Sequence, residues 1–140
     1  MERRVDDRNW LDRLLDRVAY DLKALAEYRA AGNPLEDPTR LAAVKYHFIT
    51  TIEGCVRIAH HIIASEGWRI TESNADAVRA LGAQHVVLAP TAEAVARAVG
   101  FRNVLIYEYI DVDDARVRDN LEHLSDFEAF ISQVAAWPAS

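Results

Sequence analysis

The chain has 140 residues and a mass of 15.8 kDa, the size of one ordinary domain, and its 51% hydrophobic and 27% charged residues mark it as globular rather than disordered. A formal charge of −6 with a pI near 5.3 excludes a polybasic nucleic-acid binder, though it leaves room for a local basic site. Gly 5 and Pro 4 are too few turn formers for a β-sandwich or barrel, and a single cysteine, Cys55, excludes a disulfide framework and a cysteine-based zinc site.

The opening Met-Glu-Arg-Arg-Val-Asp-Asp has no apolar segment behind its charges, so no secretory signal is expected. No apolar run approaches the roughly 20 residues of a membrane span. A cytoplasmic protein with residues 1–140 as one domain is the expectation.

In chain order, Leu11, Leu14, Leu15, Val18, Leu22 and Leu25 alternate three- and four-residue steps, which makes one apolar stripe of a helix. Gly32-Asn33-Pro34 should stop that helix near Ala31. Asp37-Pro38 reads as an N-cap with proline in the first turn of a second helix, expected from about Pro38 to Ser65 and stopped by Gly67. Its buried stripe is Leu41, Val44, Phe48, Ile52, Cys55, Ala59 and Ile62 or Ile63. Ser73 to Asp76 resembles a capping box opening a short helix through Leu81, which Gly82 should end. Val86-Val87-Leu88 is then expected to plug the core from a loop. Pro90-Thr91 starts a fourth helix through Val95, Val99, Leu105 and Ile106. The acidic turn Asp111 to Asp114 suits the N-terminus of a last helix running through Val117, Leu121, Leu124, Phe127, Ile131 and Val134. The pattern predicts an all-α bundle of four long helices plus a short one, without internal repeats.

Several chemistries are missing. No glutamate has a histidine three residues on and no His-x-x-x-His occurs, so the di-metal pattern of helical bundles is absent and neither a metal nor another cofactor is expected. His60 and His61 leave one helix in different directions and do not easily share a metal. There is no nucleophile elbow, P-loop or G-x-G-x-x-G. Cys55 lies on the apolar stripe of the second helix and reads as a buried structural thiol. Glu53 is less ordinary, because it sits mid-way along an apolar helix. Either it pairs with Arg57 four residues on, or it orients a cation from another helix.

The most informative stretch is Gly100 to Asp113. Arg102 and Asn103 interrupt an apolar segment, and Tyr107 and Tyr109 follow at helical spacings that put Asn103 with Tyr107, and Arg102 with Tyr109, on shared faces. Two phenols beside a guanidinium and an amide make either a hydrogen-bonded core network or a reactive cluster.

Three stretches together carry a resemblance. They are Thr51 to Ala64, Glu66-Gly-Trp-Arg-Ile-Thr71, and Val99-Gly-Phe-Arg-Asn-Val-Leu-Ile-Tyr-Glu-Tyr109 with its acidic turn. The sequence resembles the HepT-like branch of the HEPN domains, toxin partners of minimal nucleotidyltransferases, which implies a HEPN-type up-down helical bundle. The family motif is arginine, four to six residues, histidine, and commonly one residue and tyrosine. Arg102, Asn103 and Tyr109 match it, while Tyr107 stands where histidine is usual.

The resemblance implies a homodimeric, metal-independent ribonuclease in which the RNA 2′-hydroxyl attacks the adjacent phosphate. Arg102 would answer the phosphorane charge, with Asn103 and Tyr107 completing the catalytic set. It also implies silencing by a nucleotidyltransferase antitoxin that transfers AMP onto the motif tyrosine, here Tyr109. A phenol ordinarily titrates near 10, so about one in a thousand is ionised at pH 7, and Tyr107 is a poorer base than histidine. His60 or His61 could substitute, and Glu53 could support Arg102. Arg57, Arg69 and Arg97 are further candidates to meet an RNA substrate. The alternatives are a catalytically silent module that binds nucleotide, RNA or its antitoxin, and a purely structural helical adaptor.

Overall fold

The computed structural model describes residues 2–107 and 114–138, with side chains from residue 8 onward except at 35. Among these the chain forms six α-helices: α1 Glu2–Ala30, α2 Pro38–Glu66, α3 Asn74–Ala83, α4 Ala89–Tyr107, α5 Asp114–Leu121 and α6 Leu124–Ala136. A 3-10 turn at Pro34–Glu36 is the only other regular element among the described residues.

The two long helices form where the apolar spacing and breaker residues put them. Leu11, Leu14, Leu15, Val18, Leu22 and Leu25 of α1 are all buried, as are Val44, Phe48, Ile52, Cys55, Ala59, Ile62 and Ile63 of α2. The carboxylate of Asp37 accepts the backbone N–H of Thr39 at 3.0 Å and of Arg40 at 3.3 Å. Pro38 occupies the first turn, where a missing N–H costs nothing. The short connection makes α1 and α2 antiparallel neighbours. Their backbones approach closely at Gly54, where a Cβ would lie 2.5 Å from Cγ2 of Val18. Gly67 closes α2 in the left-handed conformation at φ 71°, with the N–H of Trp68 reaching the carbonyl of Ile63 at 3.0 Å.

Ser73 caps α3 through the N–H of Asp76 at 3.1 Å. Gly82, however, does not end this helix. It lies inside α3, where a Cβ would meet that of Ala92 on α4 at 2.8 Å, so its role is close packing of two helices. His85 takes the left-handed turn instead, at φ 60°, and the N–H groups of His85 and Val86 close on the carbonyls of Gly82 and Leu81. Val86 and Val87 plug the core as expected, but Leu88 is 65% exposed. Its N–H donates to Oε1 of Gln133 at 2.8 Å.

The last helix of the sequence pattern is two helices. Near the break, Nδ2 of Asn120 donates to the carbonyl of Arg116 at 2.7 Å, and Nδ1 of His123 donates to the carbonyl of Asp119 at 2.8 Å. These side chains occupy carbonyls that a continuing helix would use, and the turn tightens through Glu122 and His123. The apolar phase survives, so Leu121 and Leu124 are both buried. The expected acidic turn is described only from Asp114, the first residue of α5; residues 111–113 lie outside the described residues.

At the centre, the ring of Phe48 meets that of Phe101 edge-on at 5.6 Å between centroids, tying α2 to α4. Lys45 of α2 pairs with Asp114 at 3.4 Å, and Arg79 of α3 pairs with Glu93 of α4 at 3.0 Å.

Candidate functional site

The site grows from one ion pair between α2 and α4. Nη2 of Arg102 donates to Oε1 of Glu53 at 2.7 Å, while Nη1 donates to Oδ1 of the neighbouring Asn103 at 3.0 Å. At 24% side-chain exposure, Arg102 is partly sheltered with an edge still open to solvent. Two fixed bonds to a planar fork set its orientation, and a charge-assisted contact this short is among the stronger polar interactions available.

Glu53 reaches this position because Ile52, Gly54 and Cys55 around it are buried, which turns residue 53 to the edge of the stripe facing α4. Of its two readings, the interhelical one is realised. Arg57 is exposed and makes no ion pair among the described residues.

Asn103 and Tyr107 are both exposed, one helical turn apart, and Tyr107 is 80% exposed at the end of α4. Among the described residues the cluster is therefore a surface feature and not a core network. Glu53, Arg102 and Asn103 meet at the α2–α4 seam, and Tyr107 lies one turn beyond Asn103 along α4. Tyr109 lies outside the described residues, two positions past the last residue of α4.

Among the described residues, His60 is not hydrogen-bonded to this cluster. It lies two turns beyond Glu53 on α2, about 10 Å along the axis. Its Nε2 pairs with Oδ1 of Asn74 at the start of α3, at 2.9 Å. Cys55 is fully buried, and desolvation pushes its thiol far above the usual range, so it has no nucleophilic role. No group of three His, Cys, Asp or Glu side chains that could hold a metal ion occurs among the described residues. No helix among them is long and apolar enough to cross a membrane.

A second polar cluster escaped the sequence reading. Asp21 of α1 is fully buried, and its Oδ1 is 2.9 Å from Nδ1 of His47 on α2. Nε of Arg17 stands 3.7 Å from the other carboxylate oxygen. A signal was present: Asp21 falls between Val18 and Leu22 on the edge of an apolar stripe. The pair fastens α1 to α2, on the side of α2 that does not carry Glu53.

The family model described as "Ribonuclease HepT-like" matches residues 15–134. The mRNA nuclease HepT of Shewanella oneidensis is 31% identical over 85 residues, covering 60% of this chain and 64% of that protein, so the chain spans less than two thirds of this curated relative's length. Among solved structures, a toxin–antitoxin complex with AMP-PNP is similar at a TM-score of 0.83 and 22% identity, covering 91% of this chain and 98% of the other. A tri-AMPylated S. oneidensis HEPN toxin in complex with MNT antitoxin gives 0.83 at 22% identity, covering 91% and 97%. YutE, a cytosolic protein of unknown function from Bacillus subtilis, gives 0.82 at 15% identity, covering 93% and 89%. At these identities the structural likenesses show the all-α fold.

Proposed function

The chain belongs to the ribonuclease HepT-like family, and from that premise we propose that it is a metal-independent endoribonuclease, the toxin of a pair whose antitoxin is a minimal nucleotidyltransferase. The observation that carries this reading is the fixing of Arg102. Its guanidinium is held by Glu53 at 2.7 Å and Asn103 at 3.0 Å while an edge stays open to solvent.

In the reaction the 2′-hydroxyl of a ribose attacks the adjacent phosphate. Its proton passes to a base, the bond to the 5′ oxygen breaks, and that oxygen takes up a proton as it leaves. Charge accumulates on the non-bridging oxygens, and the oriented fork of Arg102 answers it. Glu53 is a positioning residue that acts through Arg102. Asn103 holds the other terminal nitrogen, and the exposed Tyr107 stands one turn further on to meet the ribose. His60, engaged with Asn74, enters the reaction only by exchanging that partner. A homodimer would set two such motifs across one RNA strand.

Tyr109 is the proposed acceptor of AMP. A nucleotidyl group there adds a negative phosphodiester and a bulky adenosine near the arginine that must meet the substrate phosphate. Two of the neighbouring structures are toxin–antitoxin complexes, one of them with an AMPylated toxin, which supports a partner of this kind.

The test is incubation of total RNA with the purified protein and with Arg102→Ala, both in excess chelator. Arginine-dependent cleavage is expected. Absence of cleavage by the wild type at high concentration would overturn the enzymatic reading in favour of the silent binding module. Intact-mass analysis after co-expression with a minimal nucleotidyltransferase should show AMP additions that Tyr109→Phe abolishes.

A further inference from the structure

A second basic feature lies away from the Arg102–Glu53 pair, on the α5–α6 side of α4. A cleft of about 270 Å³ opens there, lined by Arg97 and Phe101 of α4, by Arg116 and Asn120 of α5, and by His123 and Asp126 at the start of α6. The guanidinium of Arg116 lies over the ring of Phe101 at 5.6 Å from its centroid. Arg116 makes no ion pair with a carboxylate among the described residues, whereas Arg102 is already paired with Glu53. This cation–π contact holds the guanidinium against the ring without using its N–H donors, which remain available to an anion.

The other groups have the same sense. Arg97 has 76% side-chain exposure and only a long contact of 3.6 Å to Glu93, which is already bonded to Arg79. Nδ1 of His123 donates to the carbonyl of Asp119, which fixes the ring in the lining of the cleft. Nδ2 of Asn120 is likewise engaged with a carbonyl. Asp126 is the one carboxylate among these residues. In a chain of net charge −6, two arginines against one aspartate make a local reversal of sign.

We propose that this cleft is a phosphate-binding site, and that its occupant is a backbone phosphodiester of the RNA strand engaged at Arg102. RNA is preferred to a free mononucleotide because both phenylalanines of the lining, Phe101 and Phe127, are buried, and Phe101 also lies beneath Arg116, so neither ring offers a base an open face to stack on. Phe101 also directly precedes Arg102, so one strand crossing α4 can meet both groups. The choice of RNA rests on the ribonuclease reading; the phosphate chemistry does not.

The experiment uses a fluorescent RNA 12-mer, 2′-O-methylated so that it cannot be cut, and measures anisotropy over a salt series. Arg116→Gln and Arg97→Gln are compared with Arg13→Gln, a charge control on α1. Both cleft variants should weaken binding about fivefold to tenfold and make the salt slope shallower by about 0.7, while the control changes neither. In parallel, inorganic phosphate and AMP are titrated while the His123 ring resonances are followed. RNA binding unchanged in both cleft variants overturns the inference and leaves the ribonuclease reading standing. Phosphate or AMP shifting His123 while the RNA 12-mer fails to bind upholds the anion site and overturns RNA as its occupant. AMP displacing the RNA tenfold better than phosphate also overturns RNA, in favour of a mononucleotide.

Discussion

At the residue scale, the proposed chemistry rests on how Arg102 is held. Arginine near a surface has many rotamers, and two fixed bonds remove most of them before substrate arrives. Removing the carboxylate should therefore reduce turnover without unfolding the protein. Glu53→Ala is expected to lower kcat about tenfold, and Glu53→Gln, which keeps an acceptor at the same reach, to restore most of it. Equal urea midpoints for both variants would show that the loss is one of orientation. Tyr107→His restores the usual family base at an exposed position and should raise kcat by one to two orders of magnitude, roughly; an unchanged rate would remove position 107 from proton transfer. The sequence marked Arg102, Asn103 and Glu53 because each is polar within an apolar segment. It left open whether Glu53 met Arg57 or a distant cation, since i,i+4 spacing is readable along one helix but the register between two helices is not. The Asp21–His47 pair went unread for the same reason.

Among the elements, agreement is closest where a single residue carries a stop or a cap. Asp37, Pro38, Gly67 and Ser73 act as their chemistry requires. Gly82 misled because glycine serves two purposes, a left-handed turn or close packing, and only the approach of Ala92 decides between them. The turn it was expected to make falls on His85, whose positive φ costs a residue with a Cβ about 1 kcal/mol. His85→Gly should accordingly stabilise the fold by roughly 0.5–1 kcal/mol, seen as a higher urea midpoint with an unchanged slope; a lower midpoint would mean the imidazole makes a compensating contact. The split of α5 from α6 was invisible to periodicity, because Val117, Leu121, Leu124 and Phe127 keep helical phase across it. Side chains bonding to carbonyls make the break, and such bonds leave no mark on an apolar pattern.

For the whole molecule, net charge follows from composition and fold class from apolar periodicity, yet neither locates the function. A charge of −6 predicts that RNA is held locally, so the salt slope should be small, corresponding to a few phosphates. A strand contacting Arg102 and the Arg97–Arg116 cleft fits that small footprint. The claim on which the rest depends is that Arg102 promotes attack by a ribose 2′-hydroxyl. Its most direct test is cleavage of one defined RNA, compared with the same RNA carrying a single 2′-deoxy nucleotide at the cut site, in excess chelator. The wild type should cut only the all-ribose strand and leave a 2′,3′-cyclic phosphate, and Arg102→Ala should cut neither. Cleavage of the deoxy-substituted strand at the same bond, or undiminished cleavage by Arg102→Ala, would contradict the account.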